Sequence, residues 1–575
     1  MKNSISAIRT YLFFAFFVLV SLLFVVRLYF LQIVKGQYYY EKADSQYTGN
    51  AESSFDRGDI FFESKGGNLV SAATVKQGYI VAINPSIIQE GTSSDLVFKE
   101  LSEEIILNKE SFYFKANKTG DPYEEIAKRV SEEQMNKIIN KKIDGVIVSK
   151  DSWRIYPGGK LASNTIGFVA YNENELEGRY GLEKYYEDIL KRETNTTFTN
   201  VFAEIFSNLK KISSGTDREG DLITSLEPEV QSMLGKAVGE IENSFSSKVT
   251  GGIVIDPKNG EIYAMSVSPT FDLNDFSLEQ RVSIFSNPLV SDVYEMGSII
   301  KPLTIATGID LGVITAETTY NDTGFMIVEG KKISNHDGLV NGISDMQEVL
   351  NKSLNIGAAF VESKIGNEKF SQYFTDLGIG TETGIDLPNE ASGSIENLKS
   401  PRDIEYVTAS FGQGISMTPI NAVRALSTLA NGGKLITPHV VKKINYEVGL
   451  SKNISFVDEA RQVFKKETTE EVTRLLIGAV DEALLGGRLK QKNYSIAAKT
   501  GTAQISRSTN EGGGYYPDKY LHSFFGYFPA YNPKFLIFLY TVEPKSTLYA
   551  SDTLAEPFLD VVKFLINYYE IPPDR

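Results

Sequence analysis

The sequence of 575 residues contains no cysteine, three histidines and one tryptophan. Without cysteine, the chain cannot use a thiol nucleophile, a disulfide, an iron–sulfur cluster, cysteine-ligated zinc or a lipid anchor on cysteine. The histidines, His336, His439 and His522, lie far apart in the sequence, which excludes an H-E-x-x-H zinc site. A Ser-His-Asp triad would have to use one of them. We therefore predict neither a metal site nor another cofactor.

Basic residues are scarce relative to acidic ones. The chain has 58 Lys and Arg against 73 Asp and Glu, which gives a net charge of −15. Nucleic-acid binding requires a basic surface, because lysine and arginine displace the counterions of the phosphates. We therefore predict no nucleic-acid partner. The composition, 42% hydrophobic and 23% charged, is typical of a folded globular protein with room for several domains.

One long apolar segment lies near the N-terminus. Between residues 11 and 34 only Arg27 is charged, and its head can reach the lipid headgroups. About 20 apolar residues cross a bilayer, so we predict an uncleaved transmembrane signal anchor at 11–34 after a cytoplasmic tail at 1–10. A cleaved signal peptide is the alternative, but the end of the run, residues 32–35, offers no small residue before Gly36. Because a long C-terminal part is translocated largely regardless of charge, we place it outside the plasma membrane.

The rest of the chain divides near a polar linker at residues 210–220. Residues 35–225 mix short apolar runs with polar stretches and show no repeat of fixed length, which argues against a solenoid or a propeller. Residues 226–575 form a second predicted domain that starts with a helix at 227–242, with Pro228 in its first turn. The chain is thus predicted to be a multidomain protein.

Both ends of the second domain predict strands. An Asn-Gly turn at residues 259–260 separates apolar runs at 251–255 and 261–267, a strong signal for a β-hairpin. A helix with one apolar face is predicted at 557–569. The other strands are predicted at 494–506, 522–528 and 534–542, with a Gly-rich polar segment at 509–519. We predict an α/β or α+β domain whose single sheet combines both ends of the segment.

Three short motifs occur in order in this domain. They are S-x-x-K at 298–301, S-x-N at 353–355 and K-T-G-T at 499–502. Each is weak alone, because the chain repeats them at 207–210, 118–120, 451–453 and 508–510. The repeats lie in polar segments typical of solvated turns, whereas residue 298 starts an apolar helical run and an apolar helical pattern leads into residue 353.

Ser298 and Lys301 have the chemistry of a nucleophile and its base. Ser298 lies near the N-cap of the predicted helix, where Pro302 is tolerated because the N–H groups of the first turn have no intrahelical partner. The spacing puts Lys301 on the same face, so its amine can reach the hydroxyl. A neutral lysine can accept the serine proton if burial or a cation lowers its pKa from about 10.4. Lys499 is a candidate for that cation.

The K-T-G-T motif continues an alternating strand. Lys499 and Gly501 are expected to face one side of it, and Thr500 and Thr502 the other. Glycine would let a ligand approach the backbone closely. An extended peptide could pair along this strand while a lysine or threonine group binds its terminal carboxylate.

The ordered motifs resemble those of the class B penicillin-binding proteins, monofunctional peptidoglycan D,D-transpeptidases of the division or elongation type. The resemblance extends over nearly the whole chain, although Met296 stands where the family usually has proline. The similar stretches are RLYFLQIVKG (27–36), RGDI (57–60), RIYPGGKLASNTIGFV (154–169), GLEKYYEDIL (181–190), IDPKNGEIYAM (255–265), FGQGISMTP (411–419) and HSFFGYFPA (522–530).

The resemblance implies an architecture and partners. It implies one transmembrane helix, an extended pedestal of the dimerisation type at 35–225, and a transpeptidase domain at 226–575 whose central antiparallel sheet is flanked by helices. Its ligands would be stem peptides ending in D-Ala-D-Ala and β-lactams. A SEDS-family glycan polymerase and other cell-wall synthesis proteins would be partners at the cell membrane.

The resemblance also implies residue roles. Ser298 would be the acylated nucleophile and Lys301 its general base, while Ser353 relays protons and Asn355 positions the substrate amide. The carbonyl of the penultimate D-Ala would be attacked, the last D-Ala would leave, and an amine of a neighbouring stem would resolve the acyl-enzyme. The residues implied to bind the substrate carboxylate are Lys499, Thr500, Gly501 and Thr502. The backbone N–H groups of Ser298 and Thr502 would form the oxyanion hole.

Other functions are weaker interpretations. A bifunctional class A enzyme needs a glycosyltransferase motif with a histidine, and no histidine precedes His336. A β-lactamase or a D,D-carboxypeptidase shares the motifs, but the anchor and long pedestal argue against the former. A non-catalytic penicillin-binding scaffold with a degenerate site remains the alternative from another class. His522 is predicted to pack within a strand, and His336 to lie in a turn.

Overall fold

The structure, a computed structural model, describes residues 55–91, 93–173, 175–192, 219–507 and 511–575, together with Leu22, Arg27 and Lys35. Among these residues, no helix has both the length and the apolar character needed to span a bilayer. The anchor predicted at 11–34 lies outside the described residues except for Leu22 and Arg27, as does most of the linker predicted at 210–220.

The chain forms two compact units. The first comprises residues 1–55, 77–152 and 194–201, and the second comprises residues 56–76, 153–193 and 202–575. The second unit therefore includes the whole segment predicted as the catalytic domain, and it also takes in segments from the N-terminal half.

The first unit packs short helices on an antiparallel strand pair. Strand Glu124–Val130 pairs with the end of strand Leu69–Ile83, which also pairs with Val146–Ile155. Buried Val81, Leu101 and Phe112 belong to its core. The helices are Pro85–Gly91, Ser94–Ser102, Lys109–Ala116 and Glu132–Asn140. The last begins at a capping box, in which the side chains of Ser131 and Gln134 bond each other's backbone N–H.

The second unit is built around a five-stranded antiparallel sheet. In spatial order the strands are Ala497–Ser506, Tyr515–Phe528, Phe535–Val542, Val249–Ile255 and Ile262–Ser268. The sheet thus combines both ends of the predicted domain, and the hairpin around residues 259–260 forms as expected. Gly260 has φ +88°, and a Cβ there would lie 2.3 Å from the Thr437 carbonyl oxygen, so the turn requires glycine. Among the described strands, Ala497–Ser506, called the edge strand below, pairs on one side only, with Tyr515–Phe528.

Two long helices cover one face of this sheet. They are Pro228–Phe245 and Ala550–Tyr568, and their core includes Leu234, Phe558 and Val562. The C-terminal helix begins seven residues earlier than the predicted 557, so Pro557 lies inside it. Pro557 cannot donate a backbone hydrogen bond within the helix. Buried Leu554 and Ala555 pack in the same core, and this packing offsets the loss of that bond.

One predicted strand also begins earlier than expected. The strand predicted at 522–528 starts at Tyr515, inside the Gly-rich segment predicted at 509–519. Tyr515 lies opposite Ser506 and Tyr520 opposite Gln504, so pairing with the edge strand stabilises the extension. These partner residues belong to a different strand, so the Gly-rich composition of the segment itself predicted only a loop.

The opposite face of the sheet carries a larger helical layer with its own core, which includes Ile299, Leu303 and Phe525. The first helix of this layer, Lys301–Asp310, follows a 3-10 turn at Gly297–Ile300. The other helices are Pro288–Ser291, Met346–Asn351, Asn355–Ile365, Asn367–Asp376, Asp403–Ala409, Pro419–Ala430 and Lys466–Gly478. Short strands between them are Tyr320–Asp322, Phe325–Val328, Lys331–Ser334 and Gly342–Ser344.

Segments from the N-terminal half complete the second unit. Strand Ile60–Glu63 runs parallel to Gly220–Thr224, which pairs with Val441–Tyr446. Short helices follow at Ser163–Ile166, Gly181–Tyr185 and Glu187–Leu190, with a hairpin of Val169–Asn172 and Glu175–Gly178.

A buried ionic cluster holds these segments together. Glu183 is fully buried, and its carboxylate accepts hydrogen bonds from Arg57 Nε at 2.6 Å and Arg154 Nε at 2.7 Å. Arg57 also donates to Glu187 at 2.6 Å. Burial raises the pKa of Glu183, but the two arginines outweigh it and the net pKa is lowered. The carboxylate is therefore charged and compensates two buried cations.

We expect Glu183→Gln to lower the free energy of unfolding by about 3–5 kcal/mol, because it leaves buried arginines without their counter-charge. Urea denaturation followed by circular dichroism measures the change. Glu133→Gln removes an exposed partner of Lys137 and should leave the midpoint unchanged. Equal midpoints for the two variants would contradict a structural role for the cluster.

Candidate active site

Ser298 lies in the 3-10 turn that leads into helix Lys301–Asp310. The turn is held from both sides. The Ser523 hydroxyl donates to the Met296 carbonyl oxygen at 2.9 Å, and the Gly297 N–H donates to the Gly412 carbonyl oxygen at 3.1 Å. Met296 is fully buried, so packing and these bonds fix the approach to Ser298 without a proline at position 296. Ser298 itself is partly exposed between buried neighbours.

The Lys301 amine is buried beneath this turn. The side chain has no exposed surface, and Nζ donates to the carbonyl oxygen of Ser353 and to its hydroxyl oxygen, the latter at 3.1 Å. Within the described part of the chain, no hydrogen bond joins Nζ to the Ser298 hydroxyl. Burial, with the nearby charge of Lys499, holds the pKa of Lys301 well below its usual value. A buried amine that loses its proton readily is suited to act as a base.

The Ser353 hydroxyl lies between two amines. Its oxygen is 3.1 Å from Lys301 Nζ and 3.0 Å from Lys499 Nζ. Ser353 has φ +55°, a left-handed conformation that costs about 1 kcal/mol or more for a residue with a side chain. The backbone strain is therefore located at the residue that connects the two lysines.

Asn355 is the first residue of helix Asn355–Ile365. Its amide nitrogen donates to the Ser334 carbonyl oxygen at 2.9 Å. This bond fixes the side chain on the neighbouring strand and leaves the amide oxygen as an acceptor for a ligand N–H group.

The edge strand places the K-T-G-T residues as their alternation predicts. Lys499 and Gly501 are buried, whereas Thr500 and Thr502 are half-buried. Lys499 Nζ also donates to the Thr500 carbonyl oxygen at 2.8 Å, and burial lowers the pKa of Lys499 to about 7. The Thr502 hydroxyl oxygen accepts the Ala550 N–H at 3.2 Å, so its own hydrogen remains available to a ligand.

Position 501 requires glycine because of packing within the protein, and not because of the ligand approach predicted from the sequence. A Cβ at this position would lie 2.4 Å from the Ser523 hydroxyl oxygen and 2.7 Å from the Met296 carbonyl oxygen. The missing side chain thus lets the strand pack against the Ser298 turn, and close approach of a ligand is not what excludes a Cβ there.

His336 was not recognised from the sequence as part of this site. It lies in a turn, as predicted, with the Gly338 N–H donating to the Asn335 carbonyl oxygen at 3.1 Å. Burial lowers the pKa of His336, Asp337 opposes this, and the charges of Lys301 and Lys499 lower it further. The ring also contacts Tyr549, with centroids 6.0 Å apart. No sequence signal links this residue to lysines so distant in the chain.

His522 packs as predicted. It has no exposed surface, and its ring nitrogens bond the Thr553 hydroxyl and the Leu548 carbonyl oxygen at 3.0 and 3.1 Å. Among the residues that the structure describes, no cluster of three or more acidic or histidine side chains is arranged to hold a metal ion.

The repeated motifs lie elsewhere. Lys118 is in a turn of the first unit and pairs with Glu124. Residues 452–453 form a short exposed strand, and Ser207 and Ser508 lie outside the described residues. Among the described residues, the motifs at 298–301, 353–355 and 499–502 are joined by the hydrogen bonds of Lys301 and Lys499 to Ser353.

Known protein families match two parts of the chain. Residues 250–563 match the model of the penicillin-binding protein transpeptidase domain, and residues 54–217 match that of the penicillin-binding protein dimerisation domain. The chain is 29% identical to "Stage V sporulation protein D" of Bacillus subtilis, over 95% of this chain and 83% of the relative. It is 26% identical to "Peptidoglycan D,D-transpeptidase FtsI" of Buchnera aphidicola, over 100% and 97% of the two chains.

A solved structure has the same fold. Penicillin-binding protein 2X of Streptococcus thermophilus superposes with a TM-score of 0.73 at 19% identity, covering 90% of this chain and 81% of that one.

Proposed function

Because the chain belongs to the penicillin-binding protein transpeptidase family, as a class B member, we propose that it cross-links peptidoglycan through an acyl-enzyme on Ser298. It is a serine-type peptidoglycan D,D-transpeptidase whose substrates are stem peptides and whose inhibitors are β-lactams. We also propose the residue roles given below. The observation that carries these roles is the buried Lys301 amine, which follows the nucleophile by three residues in the chain and bonds the Ser353 hydroxyl.

Lys301 is the base that accepts the Ser298 proton. Its lowered pKa keeps the amine neutral at a pH where an exposed lysine is charged. The hydrogen bond to the Ser353 hydroxyl offers the onward path, since that hydroxyl can pass a proton to the nitrogen of the leaving D-Ala. Lys499 contacts the same hydroxyl and disfavours a second positive charge on Lys301.

The edge strand binds the donor peptide. Its free edge can accept an added extended strand, while the hydroxyls of Thr500 and Thr502 and the charge of Lys499 receive the terminal carboxylate. Binding of that carboxylate favours the protonated form of Lys499, whose pKa of about 7 makes it sensitive to a neighbouring charge. The Asn355 amide oxygen accepts a substrate N–H.

The acyl transfer proceeds in two steps. The Ser298 oxygen attacks the carbonyl of the penultimate D-Ala, and the backbone N–H groups of Ser298 and Thr502 stabilise the developing oxyanion. The C–N bond breaks, and the last D-Ala leaves as the amine. An amine of a second stem then attacks the ester, returns the proton to Ser298 and forms the cross-link.

The location and partners are proposed on sequence grounds. The apolar run at 11–34 supports a single-pass anchor in the plasma membrane, with a pedestal at 35–225 and a catalytic domain at 226–575 outside it. The family resemblance supports assembly with a SEDS-family glycan polymerase and other cell-wall synthesis proteins.

Turnover separates an enzyme from a non-catalytic scaffold. We expect the purified full chain in detergent to release D-alanine from a stem peptide ending in D-Ala-D-Ala, and mass spectrometry to detect a cross-linked product when a second amine is supplied. A scaffold would produce neither. A folded protein that binds penicillin without forming an ester or releasing D-alanine would contradict the proposed function.

A further inference from the structure

The helix that begins at Asn355 has no capping side chain of its own. Its N-cap residue is Leu354, which is fully buried in the core and has no polar atom in its side chain. The first N–H groups of a helix have no partner within it, and a polar side chain at the N-cap normally accepts one of them. Here the oxygen comes from a distant segment, because the Ile356 N–H donates to Oδ1 of Asn335 at 3.2 Å.

Residues 334 and 335 hold the start of this helix at two points. Besides the cap from Asn335, the Ser334 carbonyl oxygen accepts a hydrogen bond from the Asn355 side-chain nitrogen at 2.9 Å. Asn335 is buried, so water does not compete for the cap. Asn355 is thus fixed through its nitrogen, and the position of its free oxygen depends on where residues 334 and 335 lie.

Asp322 determines which way the Asn335 carboxamide points. The carboxylate has no exposed surface, and both of its oxygens accept hydrogen bonds. The donors are Asn335 Nδ2 at 3.0 and 2.8 Å, Asn341 Nδ2 at 2.9 Å and the Gly324 N–H at 2.8 Å. Because the carboxylate oxygens accept, they hold the NH2 group of Asn335 toward themselves and leave its Oδ1 facing the Ile356 N–H.

We infer that Asp322 is a positioning residue for acylation, which acts through Asn335 to hold the Asn355 amide oxygen where it meets the N–H group of the donor. The inference rests on the proposed function and adds a residue to it. Because Asp322 is fully buried, it acts on the donor only through these side chains. Without the carboxylate, the Asn335 carboxamide can rotate and turn its NH2 group to the Ile356 N–H. Two donors then face each other, and the helix start loses its cap.

Two β-lactams that differ in one group test the inference. Benzylpenicillin has an acylamino group whose N–H can bond the Asn355 oxygen, whereas penicillanic acid has the same ring system with hydrogen in its place. We measure the acylation rate constants of the purified full chain by intact mass and compare their ratio. Asp322→Asn keeps the shape of the side chain. It should slow benzylpenicillin by about two- to tenfold, the range for one hydrogen bond, and change penicillanic acid by less than about twofold.

Three further variants locate the effect. Asn335→Ala removes the capping oxygen without changing the buried charge, and it should lower the ratio as Asp322→Asn does, even if the latter fails to fold. Asn341→Ala removes another donor to the same carboxylate and should leave the ratio at the wild-type value. Asn355→Ala should lower the ratio at least as far. Adding Asp322→Asn to it should have no further effect on the ratio, because both changes remove the same contact.

The outcomes separate this inference from the proposed function. An unchanged ratio in Asp322→Asn or in Asn335→Ala, once either is folded, would overturn the inference. So would an equal fall in Asn341→Ala, which would show a general loosening around the carboxylate, or a fully additive effect in the double variant. If neither β-lactam acylates Ser298 of the wild type, the proposed function fails, and that result differs from acylation with an unchanged ratio.

Discussion

Substitution of Ser298 by alanine is expected to abolish covalent labelling by a fluorescent penicillin. The β-lactam carbonyl needs a nucleophile beside the edge strand, and Ser298 is the partly exposed hydroxyl in the turn that packs against Gly501 and Thr502. No other described hydroxyl in the site precedes a buried lysine by one helical turn. Fluorescence of the protein band after denaturing electrophoresis, with the intact mass as a second readout, measures the adduct.

The matched control is Ser207→Ala. Ser207 belongs to the other S-x-x-K motif, at 207–210, and its loss should leave labelling unchanged. Thermal unfolding of both variants shows that the alanine at position 298 has not disrupted the fold. Equal labelling of the two folded variants would refute the assignment of the nucleophile.

Lys301→Met should reduce the acylation rate by about 10²–10⁴-fold, the usual contribution of a general base. Methionine has a similar length and no charge, so it fits a fully buried position without leaving a buried donor unsatisfied. The free energy of unfolding should therefore stay the same or rise, since a buried amine with a lowered pKa costs stability. Stopped-flow acylation by a chromogenic cephalosporin measures the rate.

The pH profile gives a second readout for Lys301. Because the pKa of Lys301 is lowered, its neutral form persists far below the pH at which an exposed lysine would be protonated, and wild-type acylation falls only when the pH drops through that lowered pKa. The methionine variant should lack this limb. Lys466→Met, on an exposed helix face, should behave as the wild type. A rate for Lys301→Met within about threefold of wild type would exclude the lysine as the base.

Much of the fold around the site could be predicted from local patterns. The hairpin at 259–260 and the C-terminal strands have signals within a few residues, and the sheet that joins them follows from the domain class. The two early starts could not, because the strand start at Tyr515 depends on pairing with the neighbouring edge strand, and the helix start at Ala550 depends on packing against a core built from distant segments. Tertiary contacts overrode local composition in both.

In the candidate site, too, some residues could be predicted from local motifs and others could not. Ser298, Lys301, Ser353 and Lys499 were found because their motifs are short and ordered, and the structure brings the last three onto common hydrogen bonds. The sequence alone could not show that Lys301 bonds Ser353 in the free protein, since that contact joins a helix to a turn 52 residues further along the chain. His336 and Glu295 have no motif of their own. Only the fold places His336 near the two lysines and Glu295 in a cavity beside the Ser298 turn.

The left-handed backbone conformation of Ser353 affects the folding stability of the protein at a residue of the candidate site. Glycine adopts that conformation freely, so Ser353→Gly would relax the backbone and remove the hydroxyl between the two amines in one change. A serine at this position therefore costs folding stability, and the proton path proposed above would account for that cost.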